Sequence, residues 1–299
     1  MFRKQKCPNC KREYDPARDK CPYCHCQSEF LEDPRLKEFK NTTPLNFIKE
    51  IIIFLVGSLG LSVFVFIVEF IAAFFIGFQY GMDGGTRGRE ASELAEEFFA
   101  SVDGLALVEF VAYSLLFVTL LFVLWKDIKR LLLTFKNKRV FLGFAFGAAL
   151  MGISMVYNMI IQAAFGNIDT TNANQTAVNS LVSSYPVASL LILGLVGPLC
   201  EEITYRVGLF GFLKRIATWF AYVAVALIFG FIHFDFNCLV SGDSTYIAIE
   251  FASLPNYIIA GVGLSFVYDR FGFGAAWIAH ATNNFVGILV QIIGNNIPE

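Results

Sequence analysis

The segment LLILGLVGPLCEEITYRVGLFGFLK, residues 190–214, decides the fold of this chain. Its first half is apolar, yet Glu201, Glu202 and Arg206 follow directly. Taken alone, the apolar run 187–199 is too short to cross a bilayer, because about 30 Å of hydrocarbon needs about 20 residues of helix. Continued to about residue 213, the segment spans, but it then carries three charged groups into the membrane. Charges there cost several kcal/mol unless paired, and they usually mark function. The remaining composition supports the spanning alternative. The 299 residues are 56% hydrophobic and 16% charged, against about 25% charged in a soluble domain. A net charge of −2 gives no electrostatic case for a nucleic-acid partner.

Six other runs are long enough to span: 51–78, 105–125, 140–165, 216–234, 247–268 and 276–294. With 187–213 they make an all-α polytopic protein of about seven transmembrane helices. Basic residues accumulate in cytoplasmic loops, and their distribution tests the count. Residues 1–49 hold 11 Lys or Arg, and 126–139 hold six. Lys214, Arg215 and Arg270 follow the fourth and sixth spans, whereas 166–186 and 235–246 hold none. This alternation is unbroken only with seven spans, a cytoplasmic N-terminus and a C-terminus outside. With six, the segments around Lys214 and Arg270 would change sides. The expected location is therefore the cell membrane, with Glu201 inside the bilayer. Glu50 is expected at the interface, paired with Lys49. Glu69, Glu109 and Glu250 are expected to make helix-packing hydrogen bonds.

Ahead of the spans, CPNC (7–10) and CPYC (21–24) form a paired C-x2-C array. Four thiolates at this spacing suit a tetrahedral zinc site, and so small a segment has little core without metal. Cys7, Cys10, Cys21 and Cys24 are the expected ligands of a structural Zn2+ in a ribbon over 1–28, with 29–45 a linker and 46–299 the transmembrane domain. CPYCH also fits a haem-attachment pattern, and CPYC a thiol–disulfide site. A cytosolic location and the absence of a βαβ pattern count against both. The ribbon resembles short zinc-ribbon modules of microbial membrane proteins and offers a surface for a protein partner.

Two of the three histidines, His233 and His280, fall in apolar runs. Asn284 lies one helical turn after His280, and Arg206 one turn after Glu202, so each pair shares a face. Glu201 is rotated by about 100° from Glu202. Glu201 lies 13 residues before Lys214, and His233 lies 18 after Arg215. At about 1.5 Å per residue their depths differ by only about 7 Å. Glu201, His233, His280 and Asn284 are therefore able to converge. Gly197-Pro198 either breaks the helix ahead of the glutamates or kinks it.

EEITYR (E-E-x-x-x-R), FGFIH (F-x-x-x-H) and HATNN (H-x-x-x-N), in this order over about 185–290, resemble the CPBP or Abi family of intramembrane proteases. That family includes CAAX prenyl endopeptidases and bacteriocin-processing or immunity proteins. The resemblance implies an intramembrane endopeptidase acting on membrane-associated peptides or protein tails. It implies Glu201 as the base that activates water, with His233 touching the same water. His280 and Asn284 would be oxyanion donors, and Glu202 and Arg206 would orient the site. The family is described both as metal-dependent and as metal-free, and one glutamate with two histidines suits zinc, so a catalytic metal stays open. Two other classes compete. A catalytically silent scaffold or bacteriocin-immunity protein would keep the fold and bind a partner. A transporter would carry paired broken helices in two related halves, and only one Gly-Pro interruption of that type is present.

Overall fold

In a computed structural model the described residues are 5–6, 12–14, 45–85, 88–166 and 171–295. The chain divides into two units, Met1–Thr43 and Pro44–Glu299. In the first, strands β1 (Gln5–Lys6) and β2 (Glu13–Tyr14) pair antiparallel, with Lys6 opposite Glu13. The four cysteines of the expected ribbon, and the linker up to residue 44, lie outside the described residues.

The second unit is an all-α bundle. Six of its helices are long and apolar enough to cross a membrane. They are α1 (Phe47–Met82), α3 (Val102–Leu124), α4 (Leu142–Phe165), α6 (Pro186–Lys214), α8 (Ser244–Phe271) and α9 (Phe273–Asn295). Between them lie α2 (Gly88–Ala100), α5 (Ala173–Ser184) and α7 (Thr218–Phe231). The sequence anticipates a full span at 216–234, but α7 has 14 residues, about 21 Å at 1.5 Å per residue. It stops short because the chain turns at 232–234, where Asn172 Nδ2 donates to the His233 carbonyl at 3.0 Å. Glu250, six residues into α8, then receives the Asp235 N–H at 3.0 Å. His233 therefore sits in the turn that ends α7.

Ion pairs draw the basic segments to one end. Lys49 pairs with Asp127, Arg215 with Glu50 at 2.7 Å, and Lys214 with Asp269. The starts of α1 and α9 and the ends of α3, α6 and α8 are thus neighbours. At the opposite end, Tyr185 donates to Asp103 at 2.6 Å and Gln291 to the Asn179 carbonyl at 3.1 Å. Six helices of the described residues are long enough to span, and α7 is the shorter apolar helix between α6 and α8. One expectation is corrected: Glu50 is buried and pairs with Arg215, not Lys49. Arg215 comes from a turn 165 residues away, and it neutralises a carboxylate that Lys49, drawn to Asp127, leaves alone.

At the centre is α6. Of its most apolar stretch 44% is buried, against at most 28% for any other spanning helix, and Glu202 and Arg206 are shut inside the bundle. Small residues permit that burial. A Cβ on Gly208 would lie 2.8 Å from the Phe54 backbone nitrogen of α1. The same device sets α4 on α9, where a Cβ on Gly147 would lie 2.5 Å from the Ala279 carbonyl oxygen. Gly147→Ala is therefore expected to destabilise the fold by about 1–3 kcal/mol, as overpacking does, and to disturb His280 next in line. Gly152→Ala meets nothing within 4 Å and is expected to be neutral or slightly stabilising, since alanine favours helix. Melting of the two variants in one detergent compares them.

Candidate active site

The sequence of α6 dictates an irregular helix. Pro198 has no N–H to give, and the Gly197 N–H bonds to Ile192, five residues back. The turn over Ile192–Val196 is therefore π-helical, and a second wide stretch covers Glu202–Phe210. Such turns concentrate at functional sites. The Leu193 carbonyl loses its usual helical donors, and α9 supplies a replacement in Asn284 Nδ2, which donates to it at 3.4 Å. Trp277 Nε1 donates to the neighbouring Leu195 carbonyl at 3.2 Å. The break in α6 thus fixes the register of α9, and with it His280.

Around that register three charged side chains and two imidazoles gather. Glu202 Oε1 lies 2.8 Å from His280 Nδ1 and 3.2 Å from Arg206 Nη1. Glu202 and Arg206 are wholly buried, and the guanidinium carbon stands 4.4 Å over the Phe229 ring. A buried charge needs a partner, and removing one from a buried pair costs about 3–5 kcal/mol. On the other side of the ring, His280 Nε2 is 3.8 Å from Glu201 Oε2. Tyr113 donates to the second Glu201 oxygen at 3.3 Å. Glu201 Oε2 is buried and has no hydrogen-bond partner.

His233 joins from α7. Its ring stacks on Tyr257 with centroids 4.4 Å apart, and its Nδ1 meets the Phe229 carbonyl at 2.8 Å. A carbonyl only accepts, so Nδ1 carries the proton, and in the neutral ring Nε2 is the lone-pair atom. Phe229 touches both imidazoles, at 4.9 Å from His233 and 5.7 Å from His280. His233 and Glu201 line one cavity of about 620 Å³. His233, His280 and Asn284 line a second of about 440 Å³. All six candidate residues of the membrane domain are thus in one region, and His233 stands where the two cavities meet.

Two participants, Tyr113 and Glu250, carry no motif in sequence, whereas Phe229 is the aromatic of F-x-x-x-H, where packing is its expected role. Tyr113 is an ordinary aromatic of α3. Glu250, wholly buried, accepts from the Ala173 N–H at 2.8 Å and from Asp235. These bonds hold the residues beside Asn172 and His233 and so fix where His233 stands. An acidic residue at a helix-packing position was the only available signal. Glu250→Ala strands two half-buried N–H groups, at up to about 1–3 kcal/mol each. It is expected to lower both the melting point and any His233-dependent activity, with Glu250→Gln retaining part of each.

Residues 183–286 match the family described as type II CAAX prenyl endopeptidase Rce1-like. That stretch contains Glu201, Glu202, Arg206, His233, His280 and Asn284 and is roughly a third of the chain. The chain is also similar to the UPF0177 protein YvdC of Lactococcus lactis subsp. lactis (strain IL1403), with 27% identity over 99 residues. That alignment covers 33% of this chain and 36% of the relative. No solved structure matches. The family match supports the general class of a CAAX-type protease embedded in the membrane, and the apolar helices support a multi-pass membrane protein.

Proposed function

We propose that this chain is an intramembrane endopeptidase that hydrolyses peptides or protein tails reaching the bilayer, with Glu201 activating water. One observation carries the reading: Glu201 Oε2 is a buried acceptor without a partner, 3.8 Å from His280 Nε2 and in a cavity shared with His233. Peptide hydrolysis needs a base for water and donors for the developing oxyanion. Glu201 Oε2 takes the proton, and His233 Nε2, with its lone pair free, accepts the second hydrogen of the same water. The hydroxide attacks the carbonyl carbon, and the proton held by Glu201 passes to the leaving nitrogen.

His280 and Asn284 are the proposed oxyanion donors. Glu202 Oε1 at His280 Nδ1 orients the ring, and Arg206 holds Glu202 in position. Asn284 has a second amide hydrogen beyond the one given to Leu193. Each of these steps uses the chain's own side chains. By the positive-inside rule we assign the basic end to the cytoplasm.

The test compares membrane peptides from cells carrying wild-type protein or Glu201→Gln at equal abundance. Substrates that accumulate uncleaved only with Glu201→Gln support the peptidase. The scaffold alternative holds instead if Glu201→Gln preserves the cellular phenotype while the paired Cys7→Ser and Cys10→Ser change removes it. In the sequence, Cys7 and Cys10 fall between β1 and β2. We propose that Cys7, Cys10, Cys21 and Cys24 bind one structural Zn2+. Purified protein is expected to carry about one zinc, lost on the same pair of serine substitutions, as thiolate ligands require.

A further inference from the structure

We infer that the cavity of about 440 Å³ is a main-chain-binding subsite for a short, uncharged stretch of extended peptide. This inference rests on the peptidase reading. The cavity begins at His280 and Asn284 and runs to Gln291. Its size falls in the ~300–1,000 Å³ range of ligand pockets. Its polar lining is dominated by side-chain amides, among them Asn158, Asn256, Asn283, Asn284 and Gln291. No Asp, Glu, Lys or Arg is among the described residues that line it. Amides inside a membrane bundle are costly unless they have partners or work to do. Four of these five are linked in pairs, Asn256 donating to Asn158 at 2.9 Å and Asn283 to Asn284 at 3.1 Å, while Gln291 donates to the Asn179 carbonyl. One acceptor is left over. Asn256 Oδ1 is buried with no hydrogen-bond partner.

A carboxamide offers both a donor and an acceptor, which is what the alternating N–H and C=O groups of an extended chain need once water is removed. Peptide main chain entering the bilayer must find such partners or lose several kcal/mol per group. From Asn284 to Gln291 the α9 axis advances about 10 Å, which matches about three residues of extended peptide at 3.3 Å each. Met151 and Met155 also line the cavity, and flexible thioethers tolerate varied side-chain shapes. The subsite therefore reads the backbone, tolerates shape and rejects charge.

The probes are two acetylated, amidated decapeptides with a neutral fluorophore, one uncharged and one carrying a single central lysine. Both are titrated by anisotropy against the full chain in zwitterionic nanodiscs. The chain carries Glu201→Gln, so affinity is read without turnover, and cleavage by the wild type is scored separately. The uncharged probe is expected to bind about ten-fold tighter than the lysine probe, because the lining has nothing to pair with an ammonium. Asn256→Leu is expected to weaken the uncharged probe about five-fold, the scale of one lost buried hydrogen bond. Asn256→Asp is expected to tighten the lysine probe about ten-fold, a gain that a misfolded variant does not give. Equal binding of the two probes, binding no better than to empty nanodiscs, or a lysine affinity unmoved by Asn256→Asp would overturn the subsite. Tight neutral-probe binding without wild-type cleavage would leave the subsite standing and sink the peptidase.

Discussion

Glu201→Gln is expected to reduce peptide hydrolysis by about 10²–10⁴-fold, the range that a positioned general base contributes, while leaving abundance and melting point nearly unchanged. The asymmetry follows from its surroundings. Glu201 keeps 14% of its side chain accessible and lacks the buried ion pair that ties Glu202 to Arg206. Its one hydrogen bond comes from Tyr113 at 3.3 Å, and a glutamine oxygen still accepts it. What glutamine removes is the charge that takes a proton from water. Substrate should therefore bind to the variant as it binds to the wild type, so the loss appears in kcat rather than KM. A Glu201→Gln protein that is unstable would instead make this carboxylate a structural group.

His280→Ala is the second large effect, with an expected loss of about 10²–10³-fold, the cost of deleting one oxyanion donor. Unlike Glu201→Gln it should also destabilise, because Glu202 Oε1 loses its 2.8 Å contact while remaining wholly buried beside Arg206. Glu202→Gln separates the two consequences. It leaves His280 in place but replaces the carboxylate that orients the ring through Nδ1. The expected result is a large fall in activity and, with Arg206 now an uncompensated buried cation, a stability loss of about 3–5 kcal/mol. Combining Glu202→Gln with Arg206→Met removes both charges of the pair and is expected to restore stability without restoring activity. Melting and turnover on the same four proteins check the set.

How far the sequence foretells these contacts differs residue by residue. Helix length foretells six of the spanning helices, because hydrophobic thickness sets a length that can be read from the chain itself. Glu201, Glu202 and His280 are legible as one cluster for a related reason: charged groups in a membrane helix must find each other. Which glutamate meets which ring nitrogen is not legible. It depends on the π-helical turns of α6, where the 3.6-residue period fails, and on Pro198, whose missing N–H sends Asn284 to the Leu193 carbonyl. The short α7 escapes notice because its end is set by Asn172 and Glu250, both distant in sequence. Arg215 as the partner of Glu50 is a tertiary choice of the same kind. Tyr113 is too common a residue in apolar helices to stand out.

The most direct measurement is isotopic. Membranes from cells making the wild-type protein or Glu201→Gln, at matched abundance, are incubated in water enriched in ¹⁸O, and new peptide C-termini are read by mass spectrometry. Peptides bearing ¹⁸O in the new carboxylate with the wild type and missing with Glu201→Gln are the expected result. The same labelled peptides, formed at the same rate with both proteins, would contradict it.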